Sequence, residues 1–287
     1  MTAVPADSTG RAPGRDVGRE LTGLLAGHEV IDLTLPLAEQ LPGTWPGHMP
    51  FRATVWTWFA DRPGDPQPVR PQTGGSFQTR WLVMDEHTGT HIDAPRHFIP
   101  PPGSELLHAG PAGEIGVDKL PLLTAAGPAT VVDVTGLSGT TSGGTSPPVT
   151  VAELTAWEDA HGMIHAGDVV LLRTGWDRRY RSGPEGAGYG TDALVHGTGP
   201  GWPAPTPEAV SWLHERGVRC AGTDGLSIGP AEGGGPTHLA GLSRGMVFVE
   251  ALRGLDRLPP RGAWFLFLPL NLVDGTGAPG RALAVLP

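Results

Sequence analysis

Glycine and proline recur along the whole of this sequence, and they restrict it to short helices and strands joined by many loops. The 287 residues include 44 glycines and 31 prolines, a share that is typical of disordered chains where no apolar pattern accompanies it. Here apolar runs stand between them, notably at residues 169–172 and 264–268. Because 39% of the residues are hydrophobic, a chain of this length can bury a full core. We therefore predict a loop-rich globular fold.

The charge balance and the absence of apolar spans limit the expected partners. The formal net charge is -9 and the pI is about 5.6, and the densest basic patch, residues 178–181, is short, so we expect no nucleic-acid partner. No apolar stretch approaches the length of a transmembrane helix, and residues 1–15 lack the apolar core of a signal peptide. We expect a cytoplasmic protein with no membrane partner, and we expect the single cysteine, Cys220, to be a core thiol.

The spacing of apolar residues predicts a mixed α/β single domain with few helices. Helices are expected at residues 16–25, 150–161 and 206–216. Strands are expected at residues 30–35, 53–60, 81–84, 129–134, 168–173, 218–223 and 263–270. Thr150 and Glu153 form a capping-box pattern at the start of the second helix. Residues 245–255 fit either a helix or a strand, and residues 1–15 fit a flexible tail.

Four residues of metal-binding type fall within eleven positions: His87, His91, Asp93 and His97. Imidazole and carboxylate groups are suitable ligands for Zn²⁺ or Mn²⁺. Glycine, two threonines and a proline lie between them and disfavour a helix. In an extended segment all four positions have the same parity, so their side chains can point to one side. A metal site is the interpretation we favour, and a hydrogen-bonded polar loop is the alternative.

A divalent ion at such a site would suit hydrolysis. It lowers the pKa of a bound water from about 15.7 toward ~7, and it polarises a substrate carbonyl. His97, four residues beyond Asp93, is a candidate for proton transfer because an unperturbed imidazole has a pKa near ~6.5. Asp93 has two oxygens and could bridge two ions.

The run at residues 87–97, His-Thr-Gly-Thr-His-Ile-Asp-Ala-Pro-Arg-His, closely resembles the H-x-G-T-H-x-D-x-P-x-H signature of the putative cyclase family. That family includes bacterial kynurenine formamidases and isatin hydrolases. Further segments match the family in chain order: residues 31–36, 45–47, 173–176, 222–227, 236–238 with Glu250, and 275–281. The resemblance covers about residues 29–287, which would form one domain, and it leaves residues 1–28, the tail and first helix, outside.

The resemblance implies a role for seven residues. It implies that His87, His91 and Asp93 hold a first metal ion. It implies that Asp93 bridges to a second ion, which His238 and Glu250 complete. It also implies that His97 is the general acid/base and that Trp45 packs against the substrate. Taken without the resemblance, His238 could be an ordinary loop residue and Glu250 a solvated charge. Zn²⁺ is the expected cofactor, as one or two ions, and Mn²⁺ is the alternative.

The resemblance also implies the swivelling β/β/α fold and assembly as a homodimer or homotetramer. The formamidases are shorter, so the loops at residues 61–80, 136–149 and 177–205 are expected to reshape the pocket entrance or the oligomer contacts. We expect Trp56 and Trp58, two residues apart on a strand, to pack against the core.

The sequence is compatible with three hypotheses for the function. The first is a metal-dependent hydrolase that cleaves a small amide, lactam or related acyl bond in a small-molecule substrate by metal-activated water, with His97 as general acid/base. The second is a metal-dependent cyclase or dehydratase that acts on a polyketide-like or aromatic biosynthetic intermediate. The third is a binding module with a vestigial site, and the complete set of ligands argues against it.

Overall fold

The structure, a computed structural model, describes residues 16–59 and 77–287. The expected tail at residues 1–15 and most of the expected loop at 61–80 lie outside these residues. The helices are α1 (Val17–Ala26), α2 (Val151–His161), α3 (Pro207–Glu215) and α4 (Gly235–Leu242). The strands are β1 (Val30–Asp32), β2 (Arg52–Thr57), β3 (Thr79–Val83), β4 (His91–Asp93), β5 (Ala126–Asp133), β6 (Pro148–Val149), β7 (Val169–Arg173), β8 (Ala204–Pro205), β9 (Cys220–Thr223), β10 (Val247–Glu250), β11 (Trp264–Pro269) and β12 (Gly277–Val285).

The main sheet closes on itself like a barrel. Its strand order is β1-β12-β11-β5-β7-β9-β10-β4, and β12 also pairs with β4, which joins the two ends. Strands β5, β7, β9 and β10 run parallel to one another, whereas the pairs made by β4, β11 and β12 are antiparallel. Pairs β2–β3 and β6–β8 lie outside this sheet. The expectation of a mixed α/β domain with few helices is confirmed.

The central strands are buried on both faces, as their continuous apolar sequences predict. In β7, Val169 and Leu171 belong to one core cluster, and Val170 and Leu172 belong to a second. Because successive side chains of a strand point to opposite faces, one strand serves both cores. The second cluster also contains side chains from α2 and α3, so these helices cover the outside of the parallel strands.

The predicted capping box of α2 is confirmed. Thr150 caps the helix, its side chain and that of Glu153 make the reciprocal bonds to the backbone, and the helix ends at His161. Within residues 245–255, which fitted a helix or a strand, Val247–Glu250 form strand β10. Helix α4, strand β12 and the short strands β6 and β8 were not predicted. Helix α4 begins at the end of a glycine run, and β12 begins in a Gly-Ala-Pro-Gly segment of low strand propensity. Tertiary pairing with β4 and β11 holds β12 in place.

One prediction about the aromatic residues is wrong. Trp56 leaves 59% of its surface exposed and does not pack into the core, because the β2–β3 pair stands apart from the main sheet. Trp58 is half-buried.

Cys220 is a buried core thiol as expected, and burial raises its pKa to about 12.

Helix α1 packs no residue into the core formed by the described residues. Its apolar side chains, led by Val17 and Leu24, are exposed. Among the helices described, none has the combination of length and hydrophobicity that a bilayer span requires.

Candidate metal centre

Strand β4 carries two of the predicted ligands, His91 and Asp93, and its neighbours supply the surroundings. In the antiparallel pair with β10, His91 lies opposite Glu250, and in the pair with β12, Asp93 lies opposite Gly277. Directly opposed residues project to the same face of a sheet. The register therefore brings Glu250 to His91, with 3.4 Å between His91 Nε2 and Glu250 Oε2.

The remaining motif residues reach the same point from either end of β4. Only residues 91–93 of the motif are extended: His87 lies in a turn, and His97 ends a short 3₁₀ helix that begins at Pro95. The expected parity of a continuous strand is therefore wrong, although the convergence that it predicted is present. The ring of His97 stacks on that of His87, with 4.0 Å between centroids.

Helix α4 places His238 on the other side of the two carboxylates. Its Nε2 lies 3.4 Å from Asp93 Oδ2 and 3.2 Å from Glu250 Oε1. Phe98 stacks on the His238 ring at 4.3 Å between centroids. All five predicted ligands therefore lie together, and Asp93 is central because His87, His91 and His238 all face it.

The donor atoms fit a divalent cation. Ligand atoms of His91, Asp93 and Glu250 lie within 4.8 Å of one another, and so do those of His87, Asp93 and His97. Asp93 Oδ2 is buried and accepts no hydrogen bond from any residue that the structure describes. Burying a carboxylate oxygen without a hydrogen bond is costly, so this oxygen is the observation that most directly favours a cation-binding site.

The histidine tautomers support the same conclusion. His91 Nδ1 lies 2.8 Å from the carbonyl oxygen of Gly89, and His238 Nδ1 lies 2.8 Å from that of Gly234. A carbonyl oxygen only accepts, so both Nδ1 atoms carry hydrogen. In both rings Nε2 is therefore the nitrogen that faces the carboxylates, and a proton or a metal ion there would offset the repulsion between its lone pair and their oxygens.

The pKa values show which charges occupy the site without an ion. Burial lowers the pKa of His91 and of His238, but the close, negatively charged carboxylates of Asp93 and Glu250 outweigh it and raise both values to about 10. Burial raises the pKa of Asp93, but the surrounding histidines bring it well below its usual value. Protons on the imidazoles therefore balance the carboxylates, and a metal ion must displace them.

His97 differs from these histidines. Burial lowers its pKa to about 4, although the charge of Asp93 opposes that change. His97 is therefore neutral at neutral pH, which is the form that accepts a proton.

The sequence did not identify two polar residues of the site. Ser227 Oγ donates to Glu250 Oε1 over 3.0 Å, and the amide of Ile228 donates to the same oxygen over 2.7 Å. Ser227 belongs to the segment 222–227 that resembles the family, and this resemblance is the feature of the sequence that could have pointed to it. Glu86 accepts hydrogen bonds from residues of the segment that leads into β12, and no local pattern singled it out.

A cavity of about 290 Å³ opens onto these groups. Trp45, Phe98 and Leu226 form apolar parts of its wall, and His97 and Glu250 lie among its polar parts. The edge of Trp45 packs against Trp202, 6.1 Å between centroids. Trp202 is fully buried and comes from the long segment at 177–205, so that segment supports the pocket wall.

Comparison with known proteins agrees with this geometry. The family model described as "Putative cyclase" matches residues 31–230. An isatin hydrolase from Roseibium aggregatum is 36% identical over 220 residues, 75% of this chain and 77% of that protein. A kynurenine formamidase from Salinibacter ruber is 31% identical over 240 residues, 83% of this chain and 89% of that protein.

Solved structures confirm the cyclase-like fold. Isatin hydrolase A from Ralstonia solanacearum has a TM-score of 0.76 at 28% identity, and the match covers 96% of this chain and 100% of that one. Because the family model spans more than half of the sequence and the relatives match most of it, this chain belongs to the putative cyclase family.

Proposed function

We propose that this protein hydrolyses a small amide or lactam with a divalent metal ion held by His87, His91, Asp93, His238 and Glu250. The observation that most strongly supports this proposal is the buried Asp93 Oδ2. It receives no hydrogen bond from the described residues, although imidazoles surround it. The relatives named above are hydrolases of carbon–nitrogen amide bonds, and the chain is accordingly a metal-dependent amide hydrolase.

The ligand set suits a borderline metal. Nitrogen and carboxylate ligands favour Zn²⁺, with Mn²⁺ as the alternative. Asp93 lies beside His87, His91 and His238, which supports one or two ions. When bound, the ion supplies Lewis acidity, which acidifies water and polarises a carbonyl group.

His97 is proposed as the general acid/base. Its neutral ring lines the cavity beside His87 and can take a proton from the attacking water. It then returns that proton to the leaving nitrogen. Phe98 lies against the His97 ring, 4.6 Å between centroids, and helps to fix the ring in this position.

The cavity favours a compact, flat substrate. Its volume of about 290 Å³ is near the lower end of ligand sites, which run from ~300 to 1,000 Å³. Trp45 and Phe98 offer aromatic surface on its wall, and we propose that Trp45 contacts the substrate. Isatin is itself a lactam, so the name of one relative is consistent with this class.

Assembly, location and domain limits complete the proposal. We propose a homodimer or homotetramer, because α1 exposes Val17 and Leu24 and the β2–β3 pair exposes Trp56. The single, buried cysteine supports a cytoplasmic location. The isolation of α1 from the core supports a domain that starts near residue 29, with residues 1–28 outside it.

The test compares metal-loaded and chelator-treated protein on an isatin-type lactam and on an aryl formamide, with proton release as the readout. Proton release that requires the metal supports the proposal. Ring closure or water loss on an aromatic precursor, without hydrolysis of either substrate, would instead favour a cyclase or dehydratase.

A further inference from the structure

Glu86, the residue before the first histidine of the motif, collects three hydrogen bonds on one oxygen. Its Oε2 accepts from the backbone amide of Thr276 over 2.6 Å, from the Thr276 hydroxyl over 2.7 Å and from the amide of Gly277 over 3.0 Å. These donors lie at the start of β12, far away in the chain. The contact therefore links the motif loop to a strand that borders β4.

The hydroxyl of Thr276 makes a second contact, which fixes the direction of its proton. Thr276 Oγ1 lies 3.1 Å from His87 Nε2. A hydroxyl has a single hydrogen, and an ionised carboxylate only accepts. The Thr276 hydrogen therefore points to Glu86, and the oxygen of Thr276 must accept a hydrogen from His87 Nε2.

This arrangement determines the tautomer of His87. A neutral imidazole has one N–H, so with hydrogen on Nε2 the other nitrogen, Nδ1, carries a lone pair. That lone pair faces Asp93 Oδ1 at 2.9 Å. Without the contact at Nε2, the pair would favour the opposite tautomer, in which Nδ1–H donates to the carboxylate. The contacts of Glu86 and Thr276 thus oppose a direct hydrogen bond and favour a cation at Nδ1.

We propose that Glu86 is a positioning residue that acts through the Thr276 hydroxyl to keep the proton of His87 on Nε2, which leaves Nδ1 free to bind a divalent cation. This inference rests on the proposed metal-dependent function. Partners that orient a ligating histidine typically change metal affinity by about 10- to 100-fold when removed.

Thr276→Val is the decisive variant because it removes the hydroxyl but keeps both backbone bonds to Glu86. Thr276→Ser keeps the hydroxyl and serves as the conservative rescue. Thr57→Val is the matched control, since it removes a buried hydroxyl contact with Thr79 in the β2–β3 pair. Glu86→Ala and the double variant Glu86→Ala/Thr276→Val complete the set.

The primary readout is the Zn²⁺ dissociation constant, measured by competition with a chelator. We expect Thr276→Val to weaken binding by about 10- to 100-fold, Thr276→Ser and Thr57→Val to bind as the wild type does, and the double variant to bind no worse than Glu86→Ala. Wild-type affinity in Thr276→Val would overturn the inference, because Glu86 would then act only by anchoring the backbone.

The second readout is the ¹⁵N spectrum of the His87 ring in metal-free protein, at a pH where that ring is neutral. The inference predicts hydrogen on Nε2 in the wild type and on Nδ1 in Thr276→Val. The same tautomer in both proteins would contradict it. If the wild type binds no Zn²⁺, the proposed function fails, whereas these spectra still decide the role of Glu86.

Discussion

His91 and Glu250 face each other across the antiparallel pair β4–β10, and 3.4 Å separates His91 Nε2 from Glu250 Oε2. Both side chains are almost completely buried. The closed sheet thus places an imidazole and a carboxylate in a fixed relation before any ligand arrives.

Metal binding should release protons. Because the adjacent carboxylates of Asp93 and Glu250 raise the pKa of His91 and His238 to about 10, both rings are protonated near neutral pH when no ion is present. An incoming Zn²⁺ must displace these protons, so affinity should increase with pH until the rings titrate. Calorimetry in buffers of different ionisation enthalpy measures the release. A proton count of zero would contradict the assignment of these ligands.

The same pKa values predict how the metal-free protein responds to alkali. The folded pKa of His91 and His238 is above the unfolded value of 6.5, so their contribution to stability is complete below about 6.5 and is lost as pH rises toward about 10. The melting temperature of metal-free protein should therefore decrease over this range. Zn²⁺-loaded protein, whose rings hold no such protons, is the control and should show a smaller decrease.

Replacing His97 should separate catalysis from metal binding. His97→Ala removes the proposed general acid/base, and loss of such a group typically costs about 10²- to 10⁴-fold in rate. We expect kcat to decrease by this order while the content of bound metal stays unchanged. Full turnover in His97→Ala would show that another group transfers the proton.

The wall of the cavity should affect substrate affinity. Trp45→Ala removes aromatic surface beside the metal centre, and we expect KM to increase by about tenfold, which corresponds to ~1.4 kcal/mol, with a smaller effect on kcat. Trp56→Ala changes an exposed tryptophan outside the cavity and is the control. Equal kinetics for the two variants would exclude Trp45 from the substrate site.

Gly277 should be intolerant of a side chain. A Cβ there would lie 2.5 Å from His87 Cε1 and 2.7 Å from the carbonyl oxygen of Ile92, so Gly277→Ala must displace either a ligand or β4. We expect a loss of about 1–3 kcal/mol in the free energy of unfolding. Chemical denaturation measures it, with Gly136→Ala, which has open space around the added carbon, as the control. Equal stability of the two variants would mean that the start of β12 is not tightly packed.

The sequence predicted the part of the site that is local in the chain. His87, His91, Asp93 and His97 occur so close together that any compact path brings them near one another. The common parity of their positions does not explain why they meet, because the strand ends at Asp93 and a 3₁₀ helix follows. What brings them together is a turn on one side of β4 and that short helix on the other.

The distant parts of the site depend on tertiary pairing that no local pattern encodes. Glu250 reaches His91 through strand register, and His238 stands on a helix whose glycine-rich start suggested a loop; the family resemblance supplied both. Glu86 and Thr276 are 190 positions apart, and neither has a spacing that reveals their contact. The prediction that Trp56 packs in the core failed because the alternation of side chains along a strand does not show whether that strand joins the main sheet.

The most direct test of the central claim is the metal content of purified protein and of Asp93→Asn, measured by elemental analysis alongside activity. We predict one or two divalent ions per chain in the wild type, none retained in Asp93→Asn, and activity that disappears with the ion and returns when it is restored. Wild-type protein that contains no metal, and hydrolyses its substrate at the same rate after exhaustive chelation, would contradict the account.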